Sequence, residues 1–354
     1  MQVECYKFLS AEHATEWQEF LSDADHQHPR QDLRFADIER AEGADILFAM
    51  GRQNEKLCAI GLFTLSPHKL LPKCHSSALC LSGPVCDHSE QLGDFMDSLV
   101  LHPMLKRVGQ VKITPYWMAN EGETLAKVLA NRGWTLADPE PCRQTGWVDI
   151  TPLPEQIFAS FSKSARREVR RAGRQDIQLS TITDSGIALD FLDSLNRLRT
   201  NRGLPAIGKA GFLESFGSIY KTGDTGVILG AFHSDTLTSG LLLYRSKDVA
   251  HGRHFTTEPE LLRKLGNLRI APFLWLEGMK WARAHGCTKL DVEGYRVATN
   301  SNDNKYNIYK YKSEYNPVPI TRIAEHKQRT NTFIDLTGNG KSILKAYIKK
   351  RLGK

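Results

Sequence analysis

Residues 145–177 read TGWVDITPLPEQIFASFSKSARREVRRAGRQDI. The first part reads as a strand, Pro152 and Pro154 mark a turn, and the remainder has helical spacing over about 155–175. Along that helix Lys163, Arg166, Arg167, Arg170, Arg171 and Arg174 fall at i, i+3, i+4, i+7, i+8 and i+11 and form one stripe. Phe158, Phe161, Ala165, Val169 and Ala172 form a second stripe that faces a core. Six cations around a single acid, Glu168, repel one another at this spacing. A polyanion would relieve the repulsion; a solvated helix face is the plain alternative. The strand and its Pro-marked turn read as the end of one domain, and the basic helix as the start of another.

The chain of 354 residues is longer than one ordinary core supports, which agrees with two domains. Its composition is globular, with 41% hydrophobic and 25% charged residues. Lys and Arg number 47 against 40 Asp and Glu, a formal +7 that favours phosphates, RNA or anionic lipid without requiring any of them. The first residues, MQVECYKFLSAEHATEWQEF, are too charged for a signal-peptide core, and no apolar run approaches the roughly 20 residues that span a bilayer. A cytoplasmic location is expected. Seven Cys, an odd number without a C-x-x-C pair, suit reduced thiols rather than disulfides or zinc. Neither a metal nor a cofactor is expected.

Helical and strand-like segments alternate throughout, which predicts an α/β or α+β fold with mixed sheets flanked by helices. Each half gives strands, a helix closed by Gly and a further strand; LAKVLANRGWTLAD and MKWARAHGCTKLDV read as matching pieces of a duplicated module. In KLDVEGYR, Asp291 and Glu293 share a face at a strand end, where paired carboxylates suit a general base or simply cap the strand. NIYKYKSEYNP interleaves Tyr306, Tyr309, Tyr311 and Tyr315 with Lys310 and Lys312. Lys305, just before Tyr306, belongs to the same set, and the pattern fits a phosphate or nucleotide site, or an edge strand with Tyr in and Lys out. His254, in the strand HGRHFTT, joins the candidate substrate-binding residues. The tail 341–354, GKSILKAYIKKRLGK with its preceding Gly340, reads as a basic amphipathic helix suited to anionic lipid or RNA, or to docking by its apolar side.

RKLGNL (263–268) resembles the pyrophosphate loop of GNAT acetyltransferases, except that Leu268 stands where a small residue is expected. Taken in order, LSGPVCD, VKITPYW, LANRGWTLAD, the 145–177 segment, RTNRGLP, WARAHGCTKLDVEGY and YKYKSEY resemble the Fem family of peptidoglycan-bridge aminoacyltransferases. The resemblance implies two tandem GNAT-like domains, 1–150 and 151–317, with 318–354 returning to the first. It implies transfer of an amino acid from aminoacyl-tRNA to an amine of a peptidoglycan precursor or related cell-envelope acceptor. In these terms Arg202 matches an arginine associated with the precursor, and Lys312 the lysine of a Phe-Lys motif near the tRNA acceptor end. Asp291 and Gly294 match the Asp and Gly of the strand after the last helix. Lys312, Asp291 and Glu293 are thus the candidate catalytic residues; Arg202, Tyr311, Tyr315 and His254 the candidate substrate contacts; and the six-cation stripe the tRNA contact, with no DNA partner. Tyr311 replaces the family's Phe, the coiled-coil arm of some members is absent, and RGLP is closer to relatives whose donor is an acyl thioester. An acyl-CoA or acyl-carrier donor therefore stays open, as does a non-catalytic RNA- or membrane-surface-binding role, with peripheral contact through 341–354.

Overall fold

Asn54 and Glu55 take φ of 52° and 64°, and this left-handed pair folds the apolar runs on either side into an antiparallel hairpin. The computed structural model that shows this describes residues 1–137, 142–298, 300, 301, 303 and 306–338. Lys305 and the tail 341–354 lie outside the described residues. The chain runs β1 (Gln2–Tyr6), α1 (Ala11–Asp23), α2 (Leu33–Ala41), β2 (Asp45–Gln53), β3 (Lys56–Pro67), β4 (His75–Cys80), α3 (Ser89–Val100), β5 (Val108–Ile113), α4 (Ala119–Asn131) and β6 (Thr135–Leu136). It continues through β7 (Cys142–Asp149), α5 (Pro154–Ser160), α6 (Lys163–Ala172), β8 (Gln178–Thr181), α7 (Ser185–Asn201), α8 (Lys209–Ser215), β9 (Gly226–His233), β10 (Thr236–Ser246) and β11 (Val249–Thr257). Then follow α9 (Pro259–Lys264), α10 (Ala271–Ala284), β12 (Lys289–Asp291), α11 (Tyr306–Ser313), β13 (Val318–Ile323), β14 (His326–Arg329) and α12 (Thr332–Gly338).

The chain divides into two units, Met1–Cys142 with Arg322–Lys354, and Arg143–Thr321. Each holds one seven-stranded sheet, in the orders β1-β2-β3-β4-β5-β14-β6 and β8-β9-β10-β11-β12-β7-β13. The two orders correspond strand for strand. Four antiparallel strands lead to a parallel pair, β4 with β5 and β11 with β12, and an antiparallel strand follows. That next strand is supplied from the far end of the chain in one unit (β14) and from the start of its own segment in the other (β7). Strand β7, read from sequence as closing the first domain, therefore belongs to the second sheet.

The internal repeat also has a different register from the one read in sequence. Helix α10 precedes β12 as α3 precedes β5, whereas α4 follows β5 and corresponds to α11. LAKVLANRGWTLAD and MKWARAHGCTKLDV are thus different parts of the module. Their likeness is only the shared grammar of a helix, a closing Gly and a strand.

Period-two alternation explains how the first sheet is covered on both faces. Ile46, Phe48 and Met50 join the cluster under α1 and α2, while Leu47 and Ala49 join the one under α3 and α4. In the second unit α10 packs on β9 and β10, with Leu274 and Met279 fully buried. Two local predictions are corrected here. The helix read at 155–175 is two helices: the chain breaks at Phe161, and the Ser162 hydroxyl accepts the Ala165 N–H at 3.1 Å to start α6. NIYKYKS is helical rather than an edge strand. The longest helix among the described residues is the 17-residue α7, so they include no coiled-coil arm.

Gly252 lies where β11 meets the Trp275 ring; a Cβ there would sit 2.3 Å from Cη2. Gly252→Ala should lower unfolding free energy by about 1–3 kcal/mol in urea titration, against a near-neutral Gly217→Ala, which has open space around it.

Candidate active site

Strands β11 and β12 run parallel for three pairs only, ending at His251 opposite Asp291. Beyond that point β11 continues to Thr257, while the chain after β12 follows β7 instead, with the Val292 N–H on the Gly146 carbonyl at 2.9 Å. On β11 the register against β10 jumps from Leu242–His254 to Leu243–Gly252, which makes Arg253 the extra residue of a bulge. Arg253 donates across the parting to Glu293 Oε2 at 3.2 Å.

Asp291 anchors the other lip. It has no exposed surface, and its Oδ1 accepts the Thr145 hydroxyl and the Glu293 N–H, the latter at 2.7 Å. Its Oδ2 lies 4.0 Å from His251 Nδ1. These bonds hold Glu293 at φ 46° with Gly294 beside it at φ 48°, a left-handed turn that a non-glycine residue adopts only under constraint. The turned backbone presents the carbonyls of Val292 and Glu293 to Lys312, whose Nζ donates to both. Burial pushes the Lys312 ammonium down to about 8, opposed by the nearby Glu293 and Asp291 carboxylates. An ammonium has three N–H donors, so two on protein carbonyls leave one for a substrate oxygen.

Of the residues singled out in sequence, Lys312, Asp291 and Glu293 do come together. Asp291 is nevertheless too buried to touch a substrate; it positions the Glu293 turn. Glu293 also accepts from Tyr244 Oη at 3.4 Å. On α11, next to Lys312, the Tyr311 hydroxyl accepts the Trp275 Nε1–H at 2.8 Å, and burial pushes its pKa up to about 12. Tyr315 is fully buried against Phe161, Trp275 and Tyr311, so it supports Tyr311 as core and meets no ligand. His254 follows the bulge on β11 and is half-buried. Arg202 is exposed at the C-terminal end of α7, on a different element from this cluster. Sequence reading passed over Arg253 and Thr145. A lone Arg inside the strand VAHGRHFTT was the available signal, whereas Thr145 carried none.

The basic helix resolves into two sets. Lys163, Arg167 and Arg170 are exposed on α6 at i, i+4 and i+7, and Arg174 is exposed in the turn just after it. Arg166 and Arg171 are not part of that row. Arg166 donates to the carbonyls of Ala159 and Phe161 at 2.7 and 2.6 Å. Arg171 donates to those of Leu265 and Gly266 at 3.1 and 2.5 Å. Glu168, buried on the inner side of α6, accepts from Arg167, pairs with Arg171 at 3.5 Å and takes the Arg269 N–H at 3.4 Å.

Loop 263–268 is closed by the same contacts. The N–H groups of Gly266, Asn267 and Leu268 bond the Arg263 and Leu262 carbonyls, Leu268 is buried, and the Arg171 guanidinium sits 2.7 Å from where a Cβ of Gly266 would be. No amide of 266–269 is left to cradle a diphosphate.

Two successive modules of this design define a tandem GNAT-like fold, and comparison with known proteins agrees. Residues 159–311 match the family model described as an acetyltransferase (GNAT) domain. The chain is similar to the crystal structure of FemX, with a TM-score of 0.76 at 14% identity over 92% of this chain and 97% of that one. It is also similar to a tandem GNAT protein from the clavulanic acid biosynthesis pathway (TM-score 0.53, 12% identity, 93% and 99% covered). L-PGS from Bacillus licheniformis is a further match (TM-score 0.52, 14% identity, 93% and 96% covered). No curated protein matches the chain at a significant level. No helix among the described residues is long and apolar enough to cross a membrane.

Removing the Glu168 carboxylate should loosen α6 from the loop that Arg171 and Arg269 close. Glu168→Gln is expected to cost about 2 kcal/mol in denaturant unfolding, whereas Arg167→Ala, at the exposed end of the same pair, should stay within about 0.5 kcal/mol.

Proposed function

We propose that the chain is an N-acyltransferase that moves an amino acid from aminoacyl-tRNA to an amine of a peptidoglycan precursor or a related cell-envelope acceptor. The observation that carries this reading is Lys312, held beside the Glu293 turn where β11 and β12 part, with one N–H to spare. In the reaction the acceptor nitrogen attacks the ester carbonyl of the donor. A C–N bond forms, the C–O bond to the tRNA ribose breaks, and the amine proton passes to the departing ribose oxygen. Lys312 stabilises the charge that develops on the carbonyl oxygen. Glu293, held by Arg253, carries the proton between nitrogen and leaving oxygen, or the substrate transfers it directly. Much of the acceleration comes from holding the two reactants together. Arg202 holds an anionic group of the acceptor, and Tyr311 and His254 line the approach.

The likeness to FemX in fold supports the class, as does the sequence resemblance to the Fem family. Two further features support the donor. Lys163, Arg167 and Arg170 on α6, with Arg174 just beyond it, offer four exposed cations to a phosphate backbone. The alternative acyl-CoA donor is disfavoured by loop 263–268, whose amides are already bonded within the protein.

Three outcomes are expected. Lys312→Met lowers the transfer rate by roughly 10²–10³-fold with binding of charged tRNA little changed, measured by single-turnover kinetics. Because the ammonium is present below about 8 and lost above it, the wild-type rate falls as pH rises through that value. Affinity for charged tRNA drops by roughly a hundredfold between about 50 and about 200 mM salt, and Arg167→Glu with Arg170→Glu flattens that slope. Salt-independent binding would remove the tRNA donor from the reading.

A further inference from the structure

At one end of the first unit's sheet, three segments meet that the proposed chemistry does not use. They are the β3–β4 connection (67–75), the α3–β5 connection (101–107) and α12. His75 N–H bonds the Arg107 carbonyl at 2.9 Å, which joins the first two. Helix α12 is seated on both. The Thr330 and Asn331 N–H groups bond the Gly109 carbonyl at 3.0 and 3.1 Å, and Asn331 Nδ2 bonds the Lys106 carbonyl at 3.1 Å. His68 completes the joint. Its Nδ1 accepts the N–H groups of Leu70 and Leu71 at 3.1 and 2.9 Å, and its Nε2 lies 3.2 Å from the Ile334 carbonyl.

This assembly turns apolar side chains outward. Leu70 is 69% exposed, Leu101 79%, Phe333 66% and Leu336 43%. Each comes from a segment fixed by the bonds above, so none is a frayed end. The β3–β4 and α3–β5 connections carry Lys69, Lys73, Lys106 and Arg107, all exposed and in no ion pair among the described residues. Of the carboxylates that touch these segments, Asp335 accepts from Arg329 Nε at 2.7 Å, and Asp45 Oδ2 lies 3.0 Å from His75 Nε2. Protruding aliphatic and aromatic groups on segments that also carry exposed cations are complementary to an anionic lipid surface, in which the apolar tips enter the interface and the cations meet headgroups. A nucleic acid would use the cations but leave Leu70, Leu101 and Leu336 without a role, since base stacking needs planar side chains. Beyond α12 the sequence carries Lys341, Lys345, Lys349, Lys350, Arg351 and Lys354, which lie outside the described residues.

We propose that this end of the first unit, with Leu70, Leu101, Phe333 and Leu336 exposed on segments that also carry Lys69, Lys73, Lys106 and Arg107, docks on an anionic membrane surface. The inference stands apart from the donor and acceptor named above, and its test reads no transfer activity. The full chain is sedimented with vesicles of phosphatidylcholine alone and with vesicles containing about one-third phosphatidylglycerol, a composition that supplies negative surface potential. Binding is expected to the anionic vesicles only. Leu70→Ser with Phe333→Ser should weaken it by roughly tenfold and Lys69→Glu with Lys73→Glu by at least that much, both in the full chain with its tail intact. Both residue pairs are on the surface, and thermal melts matching the wild type show that the variants remain folded. Lys106→Glu with Arg107→Glu provides a second charge variant on a separate segment. Unchanged vesicle binding in all three variants overturns the proposal, because the tail alone would then account for it. So does a failure of the wild type to bind anionic vesicles, or binding of tRNA that the Leu70 and Phe333 substitutions abolish.

Discussion

Asp291 has no contact with solvent, and a carboxylate taken out of water needs hydrogen bonds to offset its lost hydration. Thr145 on β7 and the Glu293 N–H in the following turn supply them. This requirement shapes the whole second unit. It ties the end of β12 to β7, the strand that precedes every other element of its sheet, and it bends the backbone into a left-handed turn. The bend parts β12 from β11 and aims two carbonyls at Lys312. The ammonium, the Glu293 carboxylate and the Arg253 bulge therefore occupy one place because a buried acid fixes the turn between them.

A second buried acid organises the basic helix. Glu168 faces inward on α6 and draws Arg171 and the backbone of Arg269 toward it. That leaves Arg171 beneath loop 263–268, so a segment with the sequence outline of a diphosphate cradle is occupied by the protein's own guanidinium. With Arg166 held on the Ala159 and Phe161 carbonyls, the stripe keeps Lys163, Arg167 and Arg170 exposed on α6, and Arg174 exposed in the turn after it. One side of the helix closes a loop and the other offers a row of charge to solvent.

Much of the architecture was legible from local pattern. The alternation of helices and strands and the strand and Pro-marked turn that open 145–177 follow from periodicity, Gly and Pro, because those signals act within a few residues. What escaped were long-range choices. Strand β7 joins the second sheet because Val148 pairs with Leu290, far along the chain. Arg166 and Arg171 leave the solvent stripe for carbonyl acceptors that only the folded backbone brings near. Tyr311 and Tyr315 look alike in sequence, yet one lies beside Lys312 and the other is sealed under Trp275 and Phe161. The candidate site was half legible for the same reason. Asp291 and Glu293 stood out as paired carboxylates at a strand end and Lys312 through the Tyr–Lys pattern of YKYKSEY, while Thr145 matters only through its position opposite Asp291.

Identifying the donor decides between the chemistry proposed for Lys312 and any other use of this fold. Purified chain is mixed with a nucleotide-linked or lipid-linked peptidoglycan precursor and, in parallel, with aminoacyl-tRNA or acetyl-CoA, and the acceptor is weighed by mass spectrometry. The expected result is a gain of one aminoacyl group in the tRNA sample alone. A gain of an acetyl group from acetyl-CoA, or an acceptor unchanged by either donor, would contradict it.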